Sequence, residues 1–369
     1  MTDISTGLAP KPSARPATGG APGRGTVAAA RSADRRAILL LAGSILVLHA
    51  VLVAAGLWRG WAWPALGVSF ILLVMICERV GRMVTLRRRN AYERTLALGF
   101  PVLLLLVWQF AGDYGLINPT WFPQPTKIVQ GLWELTVNFD RFSGTSLIGR
   151  PWLIPDFYAE GGMAGVWKLL SESHVLATVG RVFAGFVIGA LPGILLGVIM
   201  GVNQTVRLML DTTLSAIYVL PKIAIFPIVM LMFADPFGEG PKIVVVALAV
   251  FILMTINTMA GVRGIDRVYL MAGRNYGANG WQMMRHVILP GAMPVIFAGL
   301  RIALGTAMIV IISVEFLRAK QGVGFITFYY WEVLNPEKMY AGLLVVMMLG
   351  VGLTYGLQWL QRRMMPWQR

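Results

Sequence analysis

The 369-residue sequence has little of what a soluble catalyst uses. A single cysteine, Cys77, excludes an intramolecular disulfide and any cysteine-based metal cluster. Three scattered histidines (His49, His174 and His286) argue against a histidine-ligated metal, and no cofactor, metal site or catalytic residue is expected. No Gly-x4-Gly-Lys-Ser/Thr phosphate loop occurs anywhere in the chain. Charge is scarce too: 13% of residues carry it and 57% are hydrophobic, against about 25% charged in an ordinary soluble domain. The chain is therefore not one large soluble globule. Acids are scarcest of all, 17 against 32 Lys and Arg, for a net charge of +15. In a soluble chain that excess would point to nucleic acid. In one this apolar it points to charge sorting across a bilayer, with no nucleic-acid partner.

Residues 1–36 are rich in Pro, Gly, Ala and Ser and have no apolar periodicity. Such a composition does not bury enough surface to offset chain entropy, so it reads as a disordered cytoplasmic tail. Beyond it, eight segments approach the roughly 17–25 apolar residues that cross a bilayer. They lie near Ala37–Trp58, Ala62–Cys77, Leu96–Ala111, Leu176–Val202, Thr212–Phe233, Ile243–Val262, Pro294–Phe316 and Ala341–Leu360. The fold class expected is an all-α integral membrane protein with about eight transmembrane helices in a lipid bilayer. Residues 37–94 form a two-helix segment with a basic loop, and 95–369 form the main domain. The cations cluster in the tail, in 78–94, at Arg207, in 263–290 and at the C-terminus. The positive-inside rule then places both termini in the cytoplasm and 112–175 outside.

One cytoplasmic stretch, 263–290, is too polar for membrane and too patterned for a plain linker. It reads as two short helices broken between Gly277 and Gly280, with Val268, Met271, Ala272 and Tyr276 on one face beside Arg267 and Arg274. Pro290 ends the second helix or kinks it into the seventh span. Composition alone favours an amphipathic interfacial loop, basic because it is cytoplasmic.

The stretch resembles the cytoplasmic loop of ABC importer permease subunits, whose pattern is Glu-Ala-Ala, three residues, Gly, nine residues, then Ile-x-Leu-Pro. Here Met271-Ala272-Gly273, Gly277 and Val287-Ile288-Leu289-Pro290 keep that spacing throughout. Met271 stands where the family usually has Glu, which removes a carboxylate that could pair with the ATPase. Gly273 replaces the second Ala, and Val287 replaces Ile. Four further stretches are similar to the nitrate/sulfonate/taurine-type permeases. They are Trp121-Phe-Pro-Gln-Pro-Thr126, Val179-Gly-Arg-Val-Phe-Ala-Gly-Phe186, Leu220-Pro-Lys-Ile-Ala-Ile-Phe-Pro227 and Gly299-Leu-Arg-Ile-Ala-Leu-Gly305. Glu315 ahead of Gly322-Val-Gly324 adds to the likeness, which runs from about Leu96 to Arg369. It implies a six-helix permease core preceded by two extra N-terminal helices in a bacterial cytoplasmic (inner) membrane. It also implies a second permease copy, cytoplasmic ABC ATPase subunits that the 263–290 loop engages, and an extracytoplasmic solute-binding protein. The solute implied is a small anion, and the chain is a permease with its ATP hydrolysis in a partner. The alternative is a multi-span secondary transporter not coupled to ATP, which needs a deep ion-coupling carboxylate or related halves. Glu315 lies near one edge, and no internal repeat is visible.

Three charges inside the spans stand out as candidates for the substrate path. Lys222 sits between Pro221 and Pro227 in the fifth span, where a charge costs about 2.5–3.5 kcal/mol and normally faces a bundle interior or watery cavity. It reads either as a cation lining an anion path or as one that is ion-paired or snorkelling. Arg181 and Glu315 occupy similar depths near the outer ends of the fourth and seventh spans. They are able to form a gate or clamp, or each to reach the interface. Gly185, Gly189, Gly193, Gly197 and Gly201 repeat every fourth residue and predict a helix-packing face, within the subunit or across a dimer axis.

Overall fold

The computed structural model describes residues 24–138 and 145–368. The expected disordered tail falls outside the described residues as far as residue 23. From Arg24 onward it is replaced by helix, because this stretch is dominated by the strong helix formers Ala and Arg. Two compact units divide between Ile117 and Asn118, whereas the sequence places the boundary after Arg94.

The first unit holds α1 (Arg24–Ala54), α2 (Trp58–Met83) and α3 (Leu86–Asp113). The second and third apolar runs looked short, yet both helices continue through their basic flanks, to 26 and 28 residues. Gly56, at φ 66°, makes the turn from α1 to α2. Arg79 Nη1 reaches Asp34 Oδ1 at 3.3 Å and clips α1 to α2. Gly81 lets the Tyr92 ring lie against α2, where the Tyr92 hydroxyl donates to the Cys77 carbonyl. The Phe70 and Phe100 rings, 5.9 Å apart, continue this antiparallel α2–α3 seam.

The second unit contains α4 (Pro125–Val137), α5 (Ile154–Ser171), α6 (His174–Val202), α7 (Gln204–Val219), α8 (Lys222–Leu231), α9 (Glu239–Arg263), α10 (Arg267–Asn275) and α11 (Gly280–Met283). A π-helical turn, Met284–Ile288, leads into α12 (Leu289–Arg318), followed by α13 (Val323–Glu332) and α14 (Pro336–Met364). Among the described residues, seven helices are long and apolar enough to cross a membrane, or eight if a broken pair counts as one span. That pair corrects the fifth expected span, Thr212–Phe233. It is α7 and α8, bent by 100°. Pro221 supplies no N–H and drives Leu220 out of the helical region, to ψ 135°, so the helix cannot run through.

The five-glycine stripe packs on α9 within the subunit. Each glycine faces one α9 residue at a constant offset, from Gly185 on Val246 through Gly193 on Met254 to Gly201 on Val262. Four residues exceed one helical turn by about 40°, so a seam of this period stays closed only if the two helices coil right-handedly around each other. The constant offset also makes α6 and α9 parallel. The chain between them must therefore return across the bundle, and the α7–α8 pair is that return. Helix α12 runs antiparallel to α9, with Gly261 against Val295 and Gly299 against Asn257. Buried Val246, Val250, Met254, Ala303, Ala307 and Ile311 fill the core between these helices.

Candidate functional site

Helix α9 links two functional ends. Its 25 residues span roughly 37 Å at 1.5 Å per residue. Its C-terminus opens into the 263–290 hairpin, and its N-terminus enters a charge cluster in which Arg181, Lys242 and Glu315 are buried and Glu239 is exposed.

In the hairpin, Asp266 caps α10 by accepting the Val268 N–H at 2.9 Å. The helix closes with Gly277 at φ 74°, where the Gly277 N–H donates to Arg274 O and the Ala278 N–H to Gly273 O. This paired closure needs the left-handed conformation that glycine adopts without strain. Asn279 and Gln282 then form a reciprocal capping box for α11. Gly273 is the contact point between the two arms: a Cβ there would lie 2.9 Å from Met283 Cε and 3.3 Å from Val287 Cγ2. The π turn absorbs Pro290, which lacks an N–H, so α11, the turn and α12 continue as one 38-residue path, Gly280–Leu317. Leu289 and Pro290 lie at its entry into α12. The hairpin faces outward with an apolar surface. Val268, Tyr269, Met271 and Ala272 are exposed, Tyr276 is 92% exposed and Trp281 is 70% exposed. The two short helices and the Gly277–Gly280 break therefore match the sequence reading.

At the other end, Arg181 and Glu315 meet as their shared depth allowed, but in larger company. Arg181 is 5% exposed and Glu315 1%. Arg181 Nη1 donates to Glu315 Oε1 at 2.7 Å and to the Gln321 carbonyl at 2.6 Å. Its Nη2 donates to Glu239 Oε1 at 2.9 Å, and its Nε donates to Glu239 Oε2, which makes the contact bidentate. Lys242 Nζ reaches Glu239 Oε1 at 3.0 Å, so two cations balance two carboxylates. Glu315 also accepts from Thr178 Oγ1 at 2.9 Å and from the Gly324 N–H at 2.8 Å. A buried charge is tolerated only when paired and hydrogen-bonded in this way. A Cβ at Gly322 would overlap the Glu315 carboxyl, which explains the glycine there.

His174 extends the network. The Gly322 N–H donates to Nδ1 at 3.0 Å, so Nε2 carries the proton that bonds Thr145 Oγ1 at 2.8 Å. The cluster thus pins the backbone of 321–324, at the start of α13, to α6, α9 and α12. Sequence reading missed Glu239, Lys242, Thr178 and His174. Glu239 and Lys242 fall between the expected fifth and sixth spans, and the usable signal was Thr178 three residues ahead of Arg181 on the same helical face.

Lys222 does not join this cluster. Its Nζ donates to the carbonyls of Leu220 at 2.9 Å and Ile217 at 3.4 Å, and to that of Tyr218, and it lies 5.0 Å from the centre of the Tyr218 ring. It thus closes the carbonyl end of α7 while standing at the N-terminus of α8. Arg301 is exposed and bonds Gln361 Oε1 at 3.1 Å, linking α12 to α14. Among the described residues, no group of three His, Cys, Asp or Glu side chains is placed to hold a metal ion.

Residues 193–366 match the family of binding-protein-dependent transport system inner membrane components. The taurine transport system permease protein of Escherichia coli K12 is 30% identical over 295 residues, 80% of this chain and 98% of that one. A putative aliphatic sulfonates transport permease protein of Bacillus subtilis 168 is 26% identical, covering 76% of this chain and 90% of its own. The nitrate import permease protein of Synechococcus elongatus is 24% identical, covering 72% and 88%. Among solved structures, an inward-facing methionine ABC transporter aligns over 52% of this chain and 93% of its own, at 20% identity and a TM-score of 0.46.

Proposed function

Because the chain belongs to the binding-protein-dependent inner membrane components, the permeases of ABC importers, we propose that it forms the membrane path for a small anion. The anion is of the taurine, sulfonate or nitrate kind, a binding protein delivers it at the outer face, and a separate cytoplasmic subunit hydrolyses the ATP. The observation that carries this reading is the 263–290 hairpin. It is rigidly capped, joined directly to two spanning helices, and it exposes Tyr276, Trp281, Met271 and Val268 as a surface that calls for a partner. The ATPase groove is that partner.

A push on the hairpin moves α9 and α12 together. The glycine seam carries α6 with them, and the Arg181–Glu239–Glu315 cluster couples their far ends and the start of α13. Arg181 and Glu315 therefore act as a joint of the moving bundle. Lys222 acts at the break in the fifth span, where its charge adds to the positive end of α8, and broken helices in transporters direct such ends at anionic groups. Cation distribution supports cytoplasmic termini. A stripe of Gly291, Ala298, Ile302, Gly305 and Ile309 left exposed along α12 is the surface for a second copy of the chain.

The test is reconstitution. The purified chain alone hydrolyses no ATP, and co-expressed ATPase co-purifies with it through the hairpin. Gly277→Asp, which forces a side chain into a left-handed turn, abolishes co-purification and uptake. Retention of both would sink the coupling assignment. Uptake that persists without the ATPase but collapses with the proton gradient would replace this reading with a secondary carrier. Thermal shift of the binding protein with taurine, an alkanesulfonate and nitrate identifies the solute.

A further inference from the structure

The first unit carries a charge pattern that transport leaves unused. At the end of the unit where α1 begins and α2 turns into α3, three acids each have their own basic neighbour. Asp34 holds Arg79 at 3.3 Å, Glu78 lies 4.0 Å from Arg82, and Glu93 holds Arg89 at 3.1 Å. Arg35, Arg36, Arg87, Arg88 and Arg94 remain, all exposed and none with a carboxylate partner among the described residues. The Asp34–Arg79 bond brings Arg35 and Arg36 to the α2 end. The Tyr92–Cys77 hydrogen bond and the close contact at Gly81 hold α3 against α2, and so bring Arg87 and Arg88 to the same end.

We propose that this end of the first unit is a binding site for the phosphate headgroup of an anionic phospholipid, in particular a phosphatidylglycerol-type diester. Two arguments select this occupant. First, the arginines terminate helices that are long and apolar enough to cross a membrane, so the nearest dense anions are the phosphates of the leaflet those helices enter. An exposed basic cluster directly beside a spanning helix is the arrangement that attracts anionic headgroups. Second, every cation in 24–94 is arginine, whose planar fork pairs with phosphate oxygens through two parallel hydrogen bonds. Charge sorting across the bilayer asks only for positive charge. A headgroup site also asks for its convergence from separate helices, which the Asp34–Arg79 clip and the Tyr92 contact provide.

The experiment uses the full chain in neutral detergent, titrated with dioleoyl phosphatidylglycerol, dioleoyl phosphatidylcholine or inorganic phosphate and read by native mass spectrometry. The expected result is a one- or two-lipid adduct with phosphatidylglycerol at concentrations where phosphatidylcholine gives none, with no competition from millimolar phosphate. Arg87→Gln/Arg88→Gln weakens the adduct at least tenfold, and Arg35→Gln/Arg36→Gln does likewise. Arg362→Gln/Arg363→Gln removes the same charge from two exposed arginines at the end of α14 and leaves the adduct unchanged. Each variant is first shown to keep the melting profile of the parent chain. Equal weakening by the 362/363 pair would reduce the effect to general surface charge and overturn the proposal. So would equal binding of phosphatidylcholine, or displacement by inorganic phosphate.

Discussion

Replacing Gly189 by alanine isolates the α6–α9 seam, because the same helix supplies its own control. At Gly180 no neighbouring atom lies within 4 Å of the place an added methyl would take, so Gly180→Ala should gain the helix-propensity difference, about 0.5–1 kcal/mol. At Gly189 the methyl would overlap the Ala247 carbonyl oxygen and lie 2.9 Å from Val250 Cβ. Backbone of a packed helix does not yield as a side-chain tip would, so α6 and α9 must separate. Overpacking costs typically about 1–3 kcal/mol. Set against the propensity gain, the net expectation is a loss of up to about 2 kcal/mol, opposite in sign to Gly180→Ala. Thermal unfolding of the detergent-solubilised chain, followed by circular dichroism, reads both variants on one scale, at about 2–4 °C per kcal/mol for a unit of this size. Gly193→Ala, whose methyl would meet the Phe251 carbonyl at 2.8 Å, should follow Gly189→Ala. If Gly189→Ala raises the melting temperature as Gly180→Ala does, the glycines are not a close-packing seam, and the parallel register drawn from them falls with it.

Other perturbations probe the two ends of α9. Glu315→Gln leaves the buried Arg181 short of one countercharge and should cost about 3–5 kcal/mol in thermal unfolding. Arg181→Gln/Glu315→Gln should cost less than the sum of its single variants, and strict additivity would deny the coupling. Gly273→Ala should cost little, since the flexible end of Met283 has to move and the Val287 methyl to give by a few tenths of an ångström, whereas Gly273→Leu should part the hairpin arms and reduce ATPase co-purification to background. Asp266→Ala removes the α10 cap and should lower stability by about 1 kcal/mol, visible as faster hydrogen exchange across 267–275. Lys222→Met should lower anion uptake while Lys222→Arg keeps most of it; wild-type uptake in the Met variant would remove Lys222 from the path.

Much of this organisation is legible locally. Apolar runs mark the spanning helices, Pro221 marks the break in the fifth, and the Gly277–Gly280 interval marks the hairpin, because each depends on a residue's own backbone freedom or burial. The four-residue glycine period likewise announces a packing face. The acceptors that Lys222 uses were not legible, because a cation in an apolar run does not announce that carbonyls two to five residues back will hold its ammonium.

Chain chemistry alone thus marks which segments are long and apolar enough to cross a membrane. Which helices lie side by side, and in which direction, depends on contacts between residues far apart in the chain. That α9, rather than a second copy, fills the glycine groove was decided by tertiary packing. So was the meeting of Arg181 with both Glu239 and Glu315, and the physical reason is burial. A guanidinium held out of water is stable only where carboxylates from separate helices end at its own level, and that coincidence exists only in the assembled bundle.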